Sequence, residues 1–162
     1  MARLILIWII SAAFAFVAAA DRRSAAGNEP HVHIFRAQTC DYCDRAMNFL
    51  KRLQDEDKRI RMHDHNVDSS AKEAILFLNL VDSLELSLPV IPIIFVGRVV
   101  VIGFESNETT GRDIRGAIES CRINGCPDLV PGYAGDTDAA VATRAPPSWT
   151  IENRSSVAAW KP

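Results

Sequence analysis

No excess of charge of either sign marks this sequence. Eighteen Lys and Arg stand against twenty Asp and Glu, a formal net charge of −2, so no basic field would draw in nucleic acid. No block of like charge forms an acidic or basic tail, and no segment repeats. A long apolar run is missing from the body of the chain. Cysteine is scarce, at four residues in 162. What remains is an average mixture of apolar and charged residues, at a length that suits one domain.

The single apolar run lies at the N-terminus. Arg3 precedes Leu4 to Val17, which are apolar except for Ser11, and Ala18-Ala19-Ala20 leads into Asp21-Arg22-Arg23. A short positive region, an apolar stretch and a small-residue site form the layout of a secretory signal peptide. The alternative is an uncleaved membrane anchor. The run is short for a spanning helix of about 20 residues, and its last third is alanine. Residues 1–20 are therefore expected to be a signal peptide and 21–29 a spacer. Either outcome leaves the domain periplasmic or secreted, or anchored outside the cytoplasm, where disulfides persist.

The four cysteines fall as two close pairs, Cys40/Cys43 and Cys121/Cys126. Pairs this local close small loops and contribute little to global stability through chain entropy. They call for another role.

Along the chain, His31 to Phe35 alternates and reads as a strand. A helix opens at Thr39 to Cys43, with Ala46, Phe49, Leu50 and Leu53 on its apolar stripe. Ile60 to Val67 reads as a second strand. Ser69-Ser70 can cap a second helix carrying Ala74, Ile75, Leu78 and Val81. Pro92 to Val96, a Gly97-Arg98 turn and Val99 to Ile102 read as a hairpin. Its near-continuous apolar runs imply that both sheet faces are covered. Asn107 to Ile123 reads as the last helix. The expected fold is α/β, in the order β-α-β-α-β-β-α, with a mixed four-stranded sheet between helices and a parallel first pair. The domain spans 30–128. Residues 129–162, rich in Pro, Gly, Ala, Ser and Thr, read as a linker or disordered tail.

Cys40-Asp41-Tyr42-Cys43 sets two thiols on the first turn of a helix directly after a strand. Free N–H groups and the macrodipole there stabilise a thiolate, and the thiolate is the nucleophile. Two intervening residues let the second sulfur reach the first and resolve a mixed disulfide. Cys40 is expected to attack and Cys43 to resolve. Asp41 is expected to raise the Cys40 thiol pKa by charge repulsion. Zinc sites also use this spacing, so a zinc-binding module, or a non-catalytic adaptor held by disulfides, is the competing reading.

The order of elements, Phe35-x-x-x-x-Cys40-x-x-Cys43 and Pro92-x-x-Phe95-Val96-Gly97 together resemble the thioredoxin/glutaredoxin superfamily. From Pro30 to Asp128, through Gly125-Cys126-Pro127, the chain is most similar to small thioredoxin-like domains associated with transmembrane electron-conducting proteins of cytochrome c biogenesis. The resemblance implies a thioredoxin-like fold and a cis proline at Pro92. It implies that Pro92 presents the Ile91 backbone as a short edge for a substrate peptide. Tyr42, Ile91 and Pro92 are expected to shape the substrate contact. It further implies an extracytoplasmic thiol–disulfide oxidoreductase acting on disulfide-bearing proteins, in the reducing direction, fed by a membrane electron conductor. A monomer without a cofactor is expected.

The sequence departs from the family's better-known members. The tryptophan-flanked Cys-Gly-Pro-Cys is missing. Ile34 stands where thioredoxins keep a buried aspartate. Gly103-Phe104-Glu105-Ser106 lacks the paired glycines and aspartate that hold glutathione. For the second pair, Gly125 suits a left-handed helix cap, and a Schellman arrangement would bring Cys126 against Cys121. A structural disulfide is the preferred reading, with a redox-active pair or metal-bound thiols as alternatives. His31 and His33 share one strand face and His63 and His65 another, but the two faces need not coincide, so no metal site is expected there.

Overall fold

A computed structural model describes residues 29–86, 88–134 and 148–152. The expected signal peptide at 1–20, nearly all of the spacer and much of the tail lie outside the described residues. Among the described residues, no helix is long and apolar enough to cross a membrane.

The elements are β1 (His31–Arg36), α1 (Asp41–Glu56), β2 (Arg61–Asn66), α2 (Ala71–Ser83), β3 (Ile93–Val96), β4 (Val99–Ile102), α3 (Thr110–Asn124), a 3-10 turn (Val130–Tyr133) and β5 (Thr150–Glu152). They build an α/β fold around one mixed sheet in the order β2-β1-β3-β4-β5. β1 pairs parallel with β2 and antiparallel with β3, and β4 pairs antiparallel with β3 and parallel with β5.

Strand periodicity divides the core into two layers. Val32, Ile34, Ile94, Val96 and Val101 face α1 and α3, where they meet Phe49, Leu50, Ile114 and Ile118. Phe35, Ile93, Phe95, Val100 and Ile102 face the other way, onto Leu76, Phe77 and Leu80 of α2 and onto Tyr133. β3 has no polar residue because both its faces are covered. β2 is an edge strand, Arg-Met-His-Asp-His-Asn, and none of its residues is fully buried. Ser70 caps α2, accepting a hydrogen bond from the Glu73 N–H.

Among the described residues the sheet has five strands, a correction to the four expected from sequence. The fifth lies within the stretch read as tail, as does the 3-10 turn. Three residues are too few to show a period of two, so tertiary packing defines the strand. Trp149 sits against Phe95 and Tyr133, with ring centroids 5.3 and 6.1 Å away, and the Thr150 N–H donates to the Arg98 carbonyl. α3 begins at Thr110 rather than Asn107, because the Ser106 hydroxyl accepts from the Glu108 and Thr109 N–H groups and holds a separate turn.

Candidate functional site

β1 runs through the buried sheet centre and delivers the chain to Cys40, the N-cap of α1. The Cys40 backbone is extended, and its Sγ accepts a hydrogen bond from the Cys43 N–H at 3.2 Å. The Asp44 N–H donates to the Cys40 carbonyl at 3.1 Å. Cys40 and Cys43 form a disulfide, with Cα atoms 5.2 Å apart. The two sulfur environments differ. Cys43 is fully buried, whereas Cys40 is partly open to solvent. A donor already aimed at Sγ, at a helix N-terminus, favours the anionic form of that sulfur once the bond is reduced.

The rest of the first turn is exposed. Asp41 and Asp44 are both acidic residues of that turn, which favours the helix and opposes negative charge on Cys40. Asp44 was not singled out in the sequence, although its position one turn from Cys40 was legible. Tyr42 is half exposed, and the Arg45 guanidinium lies 4.5 Å from its ring centroid. The end of β1 and the loop before the motif are tied to β2 and to the turn after it. Arg36 forms a two-pronged bond to Asp64 at 2.6 and 2.8 Å, and the Gln38 N–H donates to Asp68 at 2.8 Å.

The Ile91–Pro92 peptide is cis. Ile93, which follows, pairs with Phe35 at the end of β1 that leads to Cys40, so the dithiol and the proline belong to the same end of the sheet. Pro92 is buried and Ile91 partly so. The Pro92 carbonyl accepts from the Gly103 N–H at 2.7 Å. Ile34 is fully buried beneath this region and brings no ionisable group.

Cys121 and Cys126 form the second disulfide, with Cα atoms 4.5 Å apart. Both are nearly buried in the layer that holds Ile94 and Val96. Gly125 has φ +88 and ψ 148, far from the left-handed helical ψ near +47°. The chain therefore leaves α3 in an extended direction, not through the Schellman turn expected from sequence. The sulfurs meet because the extended step folds Cys126 back under the β3–β4 turn. There, a Cβ on Gly97 would lie 2.7 Å from the Cys121 Sγ.

The two histidine faces coincide. β1 and β2 are parallel and in register, with His33 opposite His63 and Phe35 opposite His65. All four imidazoles consequently stand on the same side of the sheet, stacked: His33 and His63 centroids are 4.2 Å apart, and His65 lies 4.4 Å from Phe35. His31 Nδ1 is 3.0 Å from His63 Nε2 and 3.2 Å from Asp128 Oδ2. His33 Nε2 is 2.9 Å from Asp128 Oδ1, and its Nδ1 is 3.0 Å from His65 Nε2. His65 Nδ1 is 2.8 Å from Glu73 Oε2. Burial pushes the His33 pKa down to about 4 despite the opposing Asp128 carboxylate, and burial also lowers that of His63. Among the described residues, the one group of converging metal-type donors is His31, His33, His63 and Asp128, and it contains no cysteine.

No family model matches the chain, and no curated protein matches it.

Proposed function

We propose that the protein is a thioredoxin-like thiol–disulfide oxidoreductase acting outside the cytoplasm on disulfide-bearing proteins, with Cys40 as nucleophile and Cys43 as resolving thiol. The observation that carries this reading is the Cys40 Sγ at the α1 N-cap, accepting the Cys43 N–H at 3.2 Å. In the reducing direction, the Cys40 thiolate attacks one substrate sulfur. The substrate disulfide breaks, its second sulfur leaves as a thiolate and takes up a proton, and a mixed disulfide forms. Cys43 then loses its proton and attacks the Cys40 sulfur. This releases the substrate dithiol and closes the Cys40–Cys43 bond. Two electrons pass from enzyme to substrate, and an external dithiol donor restores the enzyme.

The asymmetry of burial supports the division of labour. A partly open sulfur can be reached by a macromolecular substrate, whereas a buried one is reached only from within. Tyr42, exposed on the first turn, and the Ile91–Pro92 edge at the same end of the sheet are the substrate-contacting groups of this reading. A membrane electron-conducting protein is the proposed donor. The test is turnover of a protein disulfide in the presence of a reference dithiol, paired with the reduction potential of the Cys40/Cys43 couple. An active oxidoreductase turns over and has a potential within the range of exchanging dithiols. Wild-type protein that exchanges no faster than its Cys40→Ser variant refutes the reading.

A further inference from the structure

We propose that His31, His33, His63 and Asp128 form a binding site for a divalent late first-row transition ion, held at the end of β1 remote from the dithiol, with His65 and Glu73 as its outer support. The proposal is independent of the dithiol chemistry.

The parallel register of β1 and β2 stacks the imidazoles on one face, and Asp128, just beyond α3, closes over them. One donor atom from each of the four residues lies within 4.8 Å of every other. Around a tetrahedral zinc with bonds of about 2.0–2.1 Å, donors sit about 3.4 Å apart. The contacts of 2.9, 3.0 and 3.2 Å among His33, His31, His63 and Asp128 are already near that spacing. His31 and Asp128, with side chains 32% and 26% exposed, lie at the rim of the cluster.

Asp128, His33, His65 and Glu73 form a chain with three short contacts, at 2.9, 3.0 and 2.8 Å. Each contact needs one hydrogen between its heavy atoms. Two neutral imidazoles bring two N–H groups, and ionised carboxylates bring none. One of the three contacts is therefore short of a hydrogen. A metal ion at the Asp128 end resolves the shortage. His33 then binds through Nε2, its Nδ1–H donates to His65 Nε2, and the His65 Nδ1–H donates to Glu73. Imidazole ligands with this outer hydrogen-bonding are the usual construction of such sites. Three imidazoles and a carboxylate suit zinc, copper(II) or nickel(II) over calcium or magnesium.

The experiment titrates zinc chloride into the purified protein, both disulfides formed, by calorimetry at neutral pH, and repeats it with magnesium. One zinc per chain and no magnesium binding are expected. Cobalt(II) should give visible absorption of a nitrogen–oxygen site without thiolate charge transfer. His63→Ala and Asp128→Asn should each weaken zinc binding by at least about tenfold, and Glu73→Gln, which touches only the outer imidazole, by about tenfold. Cys40→Ser/Cys43→Ser should bind as wild type does. Thermal melts in chelator check that each variant folds. Absence of saturable zinc binding to the wild type overturns the proposal. So does binding that survives His31→Ala/His63→Ala, or that disappears in the double cysteine variant.

Discussion

The Cys43 N–H points at the Cys40 sulfur across 3.2 Å, so the resolving residue also solvates the nucleophile. The bond comes from the backbone and survives substitution of either side chain. Cys43→Ser should therefore keep a reactive Cys40 and accumulate mixed disulfides with substrate, while Cys40→Ser should lose exchange altogether. Non-reducing gels with mass mapping of the trapped cysteine check this. Adducts through Cys43 in the Cys40→Ser variant, at comparable yield, would reverse the roles.

Gly97 carries the β3–β4 turn at φ +59, and its missing Cβ is the space that the Cys121 sulfur occupies. Gly97→Ala should destabilise the protein by about 1–3 kcal/mol, since the residue would be both strained and in collision. Urea unfolding measures it. In the wild type, the buried Cys121–Cys126 bond should stay oxidised at dithiothreitol concentrations that reduce Cys40–Cys43, because one sulfur of the latter pair is open to attack. Reduction of both pairs at the same concentration, read by mass mapping, would point to a relay between them.

Asp41 is exposed next to Cys40, and Asp44 shares the turn. Each opposes a thiolate that the helix N-terminus favours. Stabilising the reduced form makes a dithiol more oxidising, so Asp41→Asn should raise the reduction potential and speed Cys40 alkylation at neutral pH. High salt should shrink both changes. The Asp44 charge faces Arg36, which is itself paired with Asp64. Asp44→Asn should accordingly shift the potential less than Asp41→Asn does. Redox equilibrium against a reference dithiol ranks the two, and no shift from Asp41→Asn at low ionic strength would remove charge as the cause.

Much of this arrangement was legible from periodicity. The apolar stripe of Ala46, Phe49, Leu50 and Leu53, the Ser70 cap and the Val96-Gly97-Arg98-Val99 turn are local patterns, and each stands where the pattern puts it. The α2 stripe is a correction: Leu76, Phe77, Leu80 and Val81 are buried while Ile75 and Leu78 are 45% and 54% exposed, because residues 74–81 are apolar at all but Asn79 and more than one stripe fits the spacing. The rest of what stayed hidden depends on partners distant in sequence. β5 exists because Trp149 finds Phe95 and Tyr133, and nothing within 150–152 says so. The histidine pairs were visible, yet their meeting depends on parallel register, and Asp128 joins them from beyond α3. Gly125 has positive φ but not the left-handed helical ψ expected of it, because its ψ is set by where Cys126 packs.

His33 gives the fold a pH dependence of defined sign. It is 4% exposed, and the groups facing it are His31 on β1, His63 and His65 on β2, Asp128 beyond α3 and, through His65, Glu73 on α2. Burial holds its folded pKa near 4, against about 6.5 in an unfolded chain. Between those values the unfolded chain binds the proton and the folded chain does not, so stability falls as pH drops from about 6.5 and the loss levels off below about 4. The slope is at most about 1.4 kcal/mol per pH unit for one such group, and the lowered His63 adds in the same direction. Asp57, held down to about 2 by Arg59, acts in a lower window, losing its contribution only as pH falls below the ordinary carboxylate range. Urea midpoints of metal-free protein across this range, in chelator, should trace the decline, and His33→Gln should make it shallower above about pH 4, leaving the His63 contribution, whatever it does to absolute stability. A wild-type profile that is flat from neutrality to about pH 4.5 would mean that His33 takes up its proton without loss, and that Asp128 rather than burial governs it.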